Sequence, residues 1–340
     1  NAVESGLTHL AVRHVILCHT ADEAMRERAR RLRERFAGSA PGCDMKTLET
    51  GLNGSRLPQQ LVAEDGAQGI HVNITPGTKG QTAFLTLWAQ RNKAAVWSLN
   101  PPSVTRLDAE AASLPITACD PLLLLQMRYP DVRVEGDTSD QALYEGLLHH
   151  MRACLESGQE WSLQKDRTVN GMSLKRTGFK TWMLSLPSGE KHTFSEAEGD
   201  WLEGLTAYSL SLMGAQHVHA RVRLPWSEEL QLFLEKKFQE EQHRLDVDVI
   251  AAWKGGHLLV SCKANPTIPI PDAAAEARDM AHALARFALP ALCHLGCRES
   301  YLADTGYEEK VPVFGWRDLC RPERLAALFA EALGCRRSTV

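Results

Sequence analysis

No apolar run in the 340-residue sequence approaches the roughly 20 residues that a membrane-crossing helix needs, so no membrane partner is expected. Neither a GxxxxGK[ST] loop nor a GxGxxG turn occurs, which disfavours an ordinary nucleotide-using α/β enzyme. There is no CxxC pair. The nine cysteines, an odd number with only the loose Cys293/Cys297 spacing, suit buried small hydrophobes in a reducing compartment better than a disulfide framework. No signal peptide is visible before the first apolar run, and a cytoplasmic location is expected. Positive charge is also missing as an overall feature: 38 Lys and Arg stand against 42 Asp and Glu, a net charge of −4. Nucleic acid could therefore be held only by a local basic surface. What is present is an apolar content of 44%, enough to fill the cores of two or three domains.

The most informative stretch is 243–264. Leu245, Val247 and Val249 alternate with Asp246 and Asp248, a Lys254-Gly255-Gly256-His257 turn follows, and Leu258 to Cys262 form an apolar strand ending in Lys263. This predicts a β-hairpin. Residues two apart on a strand share a face, so Asp246 and Asp248 project together and the turn returns Lys263 beside them. Two carboxylates and a lysine at one sheet end can hold a divalent ion, polarise a phosphate and steady a water. On spacing alone, the same alternation also describes a solvent-facing hairpin.

The hairpin resembles the core of the PD-(D/E)xK nucleases, whose signature is an Asp, a hairpin turn, and then Glu or Asp, any residue and Lys. The resemblance makes Asp248 the first acid and Lys263 the lysine, with Ser261 in the place of the second carboxylate. A hydroxyl is a poorer ligand for a hard dication than a carboxylate, so either other acids supply the charge or metal binding is weak. Upstream, Gly199-Asp200-Trp201-Leu202-Glu203 resembles the first helix of the nuclease domain in the same proteins and makes Glu203 a further metal-site residue. The implied cofactor is Mg²⁺ or Mn²⁺, held by Asp248 with Asp246 and Glu203.

Nearer the start, residues 12–18 form an apolar run suited to a buried strand, followed by His19-Thr20 and a helix with Met25, Ala29, Leu32 and Phe36 at helical spacing. Thr20 and Glu23 are placed to form a capping box. The arginines between 26 and 35 read as a solvated face, since Glu23, Glu27 and Glu34 are interspersed with them. A second strand (Ile70, Val72, Ile74), a small-residue loop (Thr75 to Gly80) and a helix (Gln81 to Gln90) follow. Such a loop presents free N–H groups and a helix N-terminus to a phosphate, with Lys79 adding a point charge. A tight turn that needs Gly77 for its backbone angles is the plainer alternative. The loop Thr75-Pro76-Gly77-Thr78-Lys79 resembles the Thr-Gly-Gly-Thr-Lys loop of the CRISPR-associated Rossmann-fold (CARF) sensor domains. Pro76 for the first Gly removes one donor and fixes φ. The resemblance implies a homodimer binding a cyclic oligoadenylate, cyclic tetra-adenylate being the expected ring, with His19 and Thr20 in the family's other binding loop.

Pro101, Pro102 and Pro115 mark the edge of the first domain. The middle predicts a helix from Gln141 to Leu155, whose His149 and His150 read as surface residues because no ligand partner stands at metal spacing. Residues 161–182 are locally basic, with Lys165, Arg167, Lys175, Arg176 and Lys180 among Trp161, Phe179 and Trp182. They form a candidate substrate-contact surface or an ordinary solvated hairpin. Ser195 and Glu198 predict a capping box for a helix bearing Trp201, Leu202, Leu205, Tyr208 and Leu212. A helix from Ala273 to Leu289 carries Arg278 and His282, which either contact a scissile phosphate or form plain helix surface, and 322–333 reads as a packing helix.

The expected architecture is α/β: a Rossmann-like parallel-sheet sensor domain (1–112), a connecting region, winged-helix-like in one reading (113–193), and a PD-(D/E)xK restriction-endonuclease-like domain (194–340). The implied function is a cyclic-oligoadenylate-activated, metal-dependent endonuclease cleaving single-stranded, and in one reading also duplex, nucleic acid in type III CRISPR antiviral defence. The alternative is a nuclease-inactive sensor acting as a nucleic-acid-binding regulator.

Overall fold

The computed structural model describes residues 14–20, 22–39, 43–50, 70–73, 79–100, 103–107, 113–115, 120–129, 131–136, 140–196, 199–225, 245–254, 256–284, 288–305 and 310–338. The chain forms two compact units, Asn1–Cys119 and Asp120–Val340. The division falls seven residues after the expected end of the first domain at 112, and from Asp120 onward the middle region folds with the second unit.

The first unit contains two parallel strand–helix–strand repeats. Strand β1 (His14–Thr20) and β2 (Asp44–Thr50) pair in parallel from His14↔Asp44 to Thr20↔Thr50, with helix α1 (Glu23–Ser39) as their crossover. Likewise β3 (His71–Asn73) and β4 (Ala95–Asn100) are joined by α2 (Lys79–Arg91) and pair in parallel, before β5 (Ser103–Arg106) and β6 (Ser113–Pro115) extend that sheet antiparallel. Parallel neighbours need a long crossover, and an amphipathic helix supplies one while covering the sheet. Val72, Ala89, Ala94 and Val96 form the small core there. At the start of α1 the Asp22 carboxylate accepts the Met25 N–H at 3.1 Å, while Thr20 is the last rung of the β1 ladder. The arginine face is solvated as expected, with Arg30 bridging Glu27 and Glu34.

The second unit opens with α3 (Pro121–Arg128), β7 (Arg133–Val134) and α4 (Gln141–Glu156). A four-stranded antiparallel meander follows: β8 (Arg167–Val169), β9 (Met172–Gly178), β10 (Thr181–Ser185) and β11 (Lys191–Ser195). Next come α5 (Asp200–Leu212), β12 (Gln216–Leu224), β13 (Leu245–Trp253), β14 (Gly256–Lys263), α6 (Ile270–Leu284), β15 (Ala288–His294), β16 (Tyr301–Asp304), β17 (Lys310–Phe314), α7 (Trp316–Leu319) and α8 (Pro322–Ser338). A seven-stranded sheet in the order β16-β17-β15-β14-β13-β12-β7 is the frame. Its centre is the predicted hairpin: β13 and β14 are antiparallel from Val249↔Val260 to Trp253↔Gly256, and β14 then pairs in parallel with β15 through the α6 crossover. One large core joins α4 and the meander to α5, α8 and the sheet through Leu147, Met151, Trp182, Leu205, Val260 and Phe329. On the other side Leu125 of α3 and Ala281 and Leu284 of α6 cover Val222, Val247 and Leu259.

Three local expectations change under packing. Ser195 ends β11, paired with Thr181, so its backbone belongs to a ladder and α5 starts instead after Gly199, at φ 71°. The predicted 273–289 helix is α6, which stops at Leu284, and Ala288–His294 is a strand buried along its whole length. A continuous apolar run cannot by itself distinguish the two. His150 is fully buried, beside Cys154 Sγ at 3.8 Å, rather than on the surface, and burial pushes its pKa down to about 4; His149 is exposed.

Candidate active site

Five elements of the second unit bring charged side chains to one end of the β12–β14 sheet. Helix α5 contributes Asp200 and Glu203, one turn apart; β12 contributes Arg221 and Arg223; β13 contributes Asp246 and Asp248; β14 contributes Ser261 and Lys263; and α6 contributes Glu276. At the centre, Asp248 Oδ2 accepts both the Ser261 hydroxyl (3.2 Å) and the Cys262 N–H (2.6 Å). Among the described residues Oδ1 accepts no hydrogen bond. Lys263 Nζ donates to Glu276 Oε1 at 3.1 Å. Arg221 pairs with Asp200 at 2.6 Å and reaches Glu203 at 3.9 Å, while Arg223 holds Glu135 and, across the ladder, Asp246 at 3.3 Å.

The electrostatics follow from six carboxylates meeting three cations in a partly dry place. Burial first, then Asp248, Asp200 and Asp246, push Glu203 up to about 8, with Arg221 only partly opposing them. Asp248 is also raised, chiefly by burial and further by Glu276, against the Cys262 N–H, Lys263 and Ser261. Two carboxyls whose pKa values burial raises, Glu203 further by its acidic neighbours, fit a place where a dication is the missing charge, and an all-oxygen donor set suits Mg²⁺ or Mn²⁺. Among the described residues no three His, Cys, Asp or Glu side chains already form a complete cage. Mg²⁺ commonly needs only one or two protein carboxylates and otherwise keeps its waters. Arg221 adds a further sign of a specialised site: it sits at φ 53° between the paired Ala220–Val249 and Val222–Val247, a left-handed backbone that is costly for a residue with a Cβ. Beside it lies a cavity of about 260 Å³ lined by Tyr144, Phe194, Ser195, Asp200, Trp201 and Arg221.

The structure thus gathers Asp248, Ser261, Lys263, Glu203 and Asp246 at one sheet end. Sequence reasoning missed Glu276 and left Asp200 and Arg221 without a role. The signal for Glu276 was an acid on the helix that follows the Ser-Cys-Lys strand, where the expected strand carboxylate is absent. Arg278 is not available to a phosphate, because its guanidinium is buried and holds Asp279 (2.6 Å) and the Thr305 carbonyl (2.7 Å). In the first unit, His19 and Thr20 end β1, opposite Glu49 and Thr50. Thr75, Pro76, Gly77 and Thr78 lie outside the described residues, and Lys79 opens α2.

No family model and no curated protein matches the sequence. Solved structures do resemble it. The crystal structure of protein VC1899 from Vibrio cholerae aligns with a TM-score of 0.61 at 13% identity, covering 97% of this chain and 95% of that one. Can2 from Sulfobacillus thermosulfidooxidans, solved in complex with cyclic tetra-adenylate, aligns at 0.54 and 11% identity over the same shares, 97% and 95%. A type III CRISPR defence DNA nuclease activated by cyclic oligoadenylate aligns at 0.51 and 18% identity, over 86% of this chain but 43% of its own length. At such identities the likeness is one of fold, and it runs through both units. In fold, the chain is thus an α/β protein of two units, the first built on parallel strand–helix–strand repeats and the second on a seven-stranded mixed sheet, and it is similar to these structures over most of its length.

Proposed function

We propose that the chain is a cyclic-oligoadenylate-gated, metal-dependent endonuclease that cleaves single-stranded nucleic acid in type III CRISPR defence. The observation that carries the reading is the Asp248 carboxylate, with both donors on Oδ2 and Oδ1 open, next to Lys263 and the raised Glu203. A cyclic oligoadenylate bound across the Thr75–Lys79 loops of two copies draws the paired nuclease units into a cutting arrangement. Two of the similar structures point the same way, one holding cyclic tetra-adenylate and the other being a nuclease activated by cyclic oligoadenylate.

Asp248, with Glu203 and Asp246, would hold Mg²⁺ or Mn²⁺, with the Ser261 hydroxyl or the adjacent carbonyl available to complete the protein's share of the shell. Glu276 supplies the negative charge that Ser261 lacks and aims Lys263. A dication held there would supply Lewis-acid polarisation of the scissile phosphate. Lys263 orients the attacking water or stabilises the charge developing on the phosphate. The test is incubation with cyclic tri-, tetra- and hexa-adenylate plus Mn²⁺, following labelled single- and double-stranded substrates. Cleavage that requires one ring and the metal supports the reading, and its absence under every combination overturns it.

Ser261 favours one rival. A hydroxyl bonded to Asp248 in the place of a second carboxylate suits a sensor that has lost its metal and regulates by binding. Manganese-dependent cleavage that disappears in Asp248→Ala excludes it.

A further inference from the structure

The β9–β10 hairpin carries a feature that neither the core nor the acid cluster uses. Met172, Leu174, Trp182 and Leu184 pin its inner half, yet every residue from Lys175 to Lys180 is exposed. Phe179 in the turn is 87% exposed, far above the next large apolar side chain described, Leu107 at 57%. Lys180 follows at φ 56°, a conformation that turns ordinarily give to Gly or Asn, and its Nζ lies 5.7 Å from the Phe179 ring centroid. Turn stability therefore does not explain this Phe-Lys pair. Lys175, Arg176 and Lys180 form no ion pair with any described carboxylate, and the nearby Asp166 carboxylate is bonded to the Arg176 backbone N–H at 2.9 Å. On a chain of net charge −4 this is a local concentration of uncompensated cations around an exposed ring. Phosphates and base faces together match that pairing, whereas an acidic protein surface or a lipid headgroup would use the cations alone.

The tip is also well placed. Thr181 pairs with Ser195 and the Lys180 carbonyl accepts the Glu196 N–H at 2.7 Å. The tip thus leaves the meander at the same end as Ser195, which lines the cavity shared with Asp200 and Arg221. We propose that the Lys175–Lys180 tip binds the single-stranded substrate beside this cavity, Phe179 stacking on a base and Lys175, Arg176 and Lys180 contacting phosphates. The identity of the strand as substrate rests on the nuclease reading; the binding itself does not.

Binding of fluorescently labelled oligo-dT and oligo-U is measured on the full chain in EDTA, where no cleavage occurs, across a salt series. Phe179→Ala is expected to weaken binding roughly 5- to 150-fold, with Phe179→Trp restoring it. The triple change Lys175→Glu, Arg176→Glu, Lys180→Glu is expected to lower the slope of log affinity against log salt by about 2, near 0.7 per lost phosphate contact. All four positions are exposed, so unfolding curves should not move. Unchanged affinity in both variants, no binding by the unaltered chain, or loss of binding only to anionic vesicles overturns the proposal. If tip-dependent binding occurs but Mn²⁺ and activator produce no cleavage, the nuclease reading fails and the strand-binding surface stands.

Discussion

Glu203 keeps its proton to about pH 8 in the folded chain, against an ordinary value of 4.5. Between these values the folded state binds more protons than the unfolded one, so stability falls as pH rises through that window. A cation that binds ionised acids opposes the loss. The unfolding temperature of the metal-free chain should therefore drop from pH 5 to pH 8, Glu203→Gln should flatten the drop, and Mn²⁺ should stabilise more at pH 8 than at pH 6. A Mn²⁺ effect independent of pH would remove Glu203 from the metal site. Asp248→Ala and Lys263→Ala should each abolish activator-dependent cleavage while calorimetry shows activator affinity intact; equal cleavage by either variant would sink the assignment. Glu276→Gln tests the residue that sequence reasoning overlooked. If it aims Lys263 and adds charge, Mn²⁺ affinity should fall roughly 10- to 100-fold, the range seen when partners behind metal ligands are removed.

At the scale of elements, α5 positions Asp200 and Glu203, and its seat against α4 sets where they lie. Gly204 lies next to Glu203, and a Cβ there would overlap the Tyr144 ring and hydroxyl of α4. Gly204→Ala should cost about 1–3 kcal/mol of stability through overpacking, measured by denaturant unfolding, and should lower cleavage by shifting the acids. A change within error would show that α4 yields freely. The meander and α4 share one core with the seven-stranded sheet. They support α5 through that shared core.

For the whole molecule, the prediction concerns gating. Lys79→Ala should weaken cyclic-oligoadenylate binding by calorimetry and shift the activator concentration needed for cleavage, leaving the metal site's Mn²⁺ affinity in place. Unchanged affinity for every ring size would take the loop out of the switch. Much of the fold was legible beforehand because its signals are local. The β13–β14 hairpin is written in period-two alternation and a glycine turn, and the strand–helix–strand repeats in a change of period from two to 3.6. Where two local signals competed, sequence could not choose: Ser195 has a capping signature but joins a ladder, and the apolar run at Ala288–His294 is a strand rather than helix. The sequence by itself determined which acids and which lysine exist and that they stand on the two strands of one hairpin. Only the tertiary structure decided that Glu276 meets Lys263, that Asp248 binds Ser261, and that Glu203 is pressed among other carboxylates. Those facts depend on separate elements converging and on water being excluded between them, and neither proximity nor dielectric is a property of neighbouring residues in a chain.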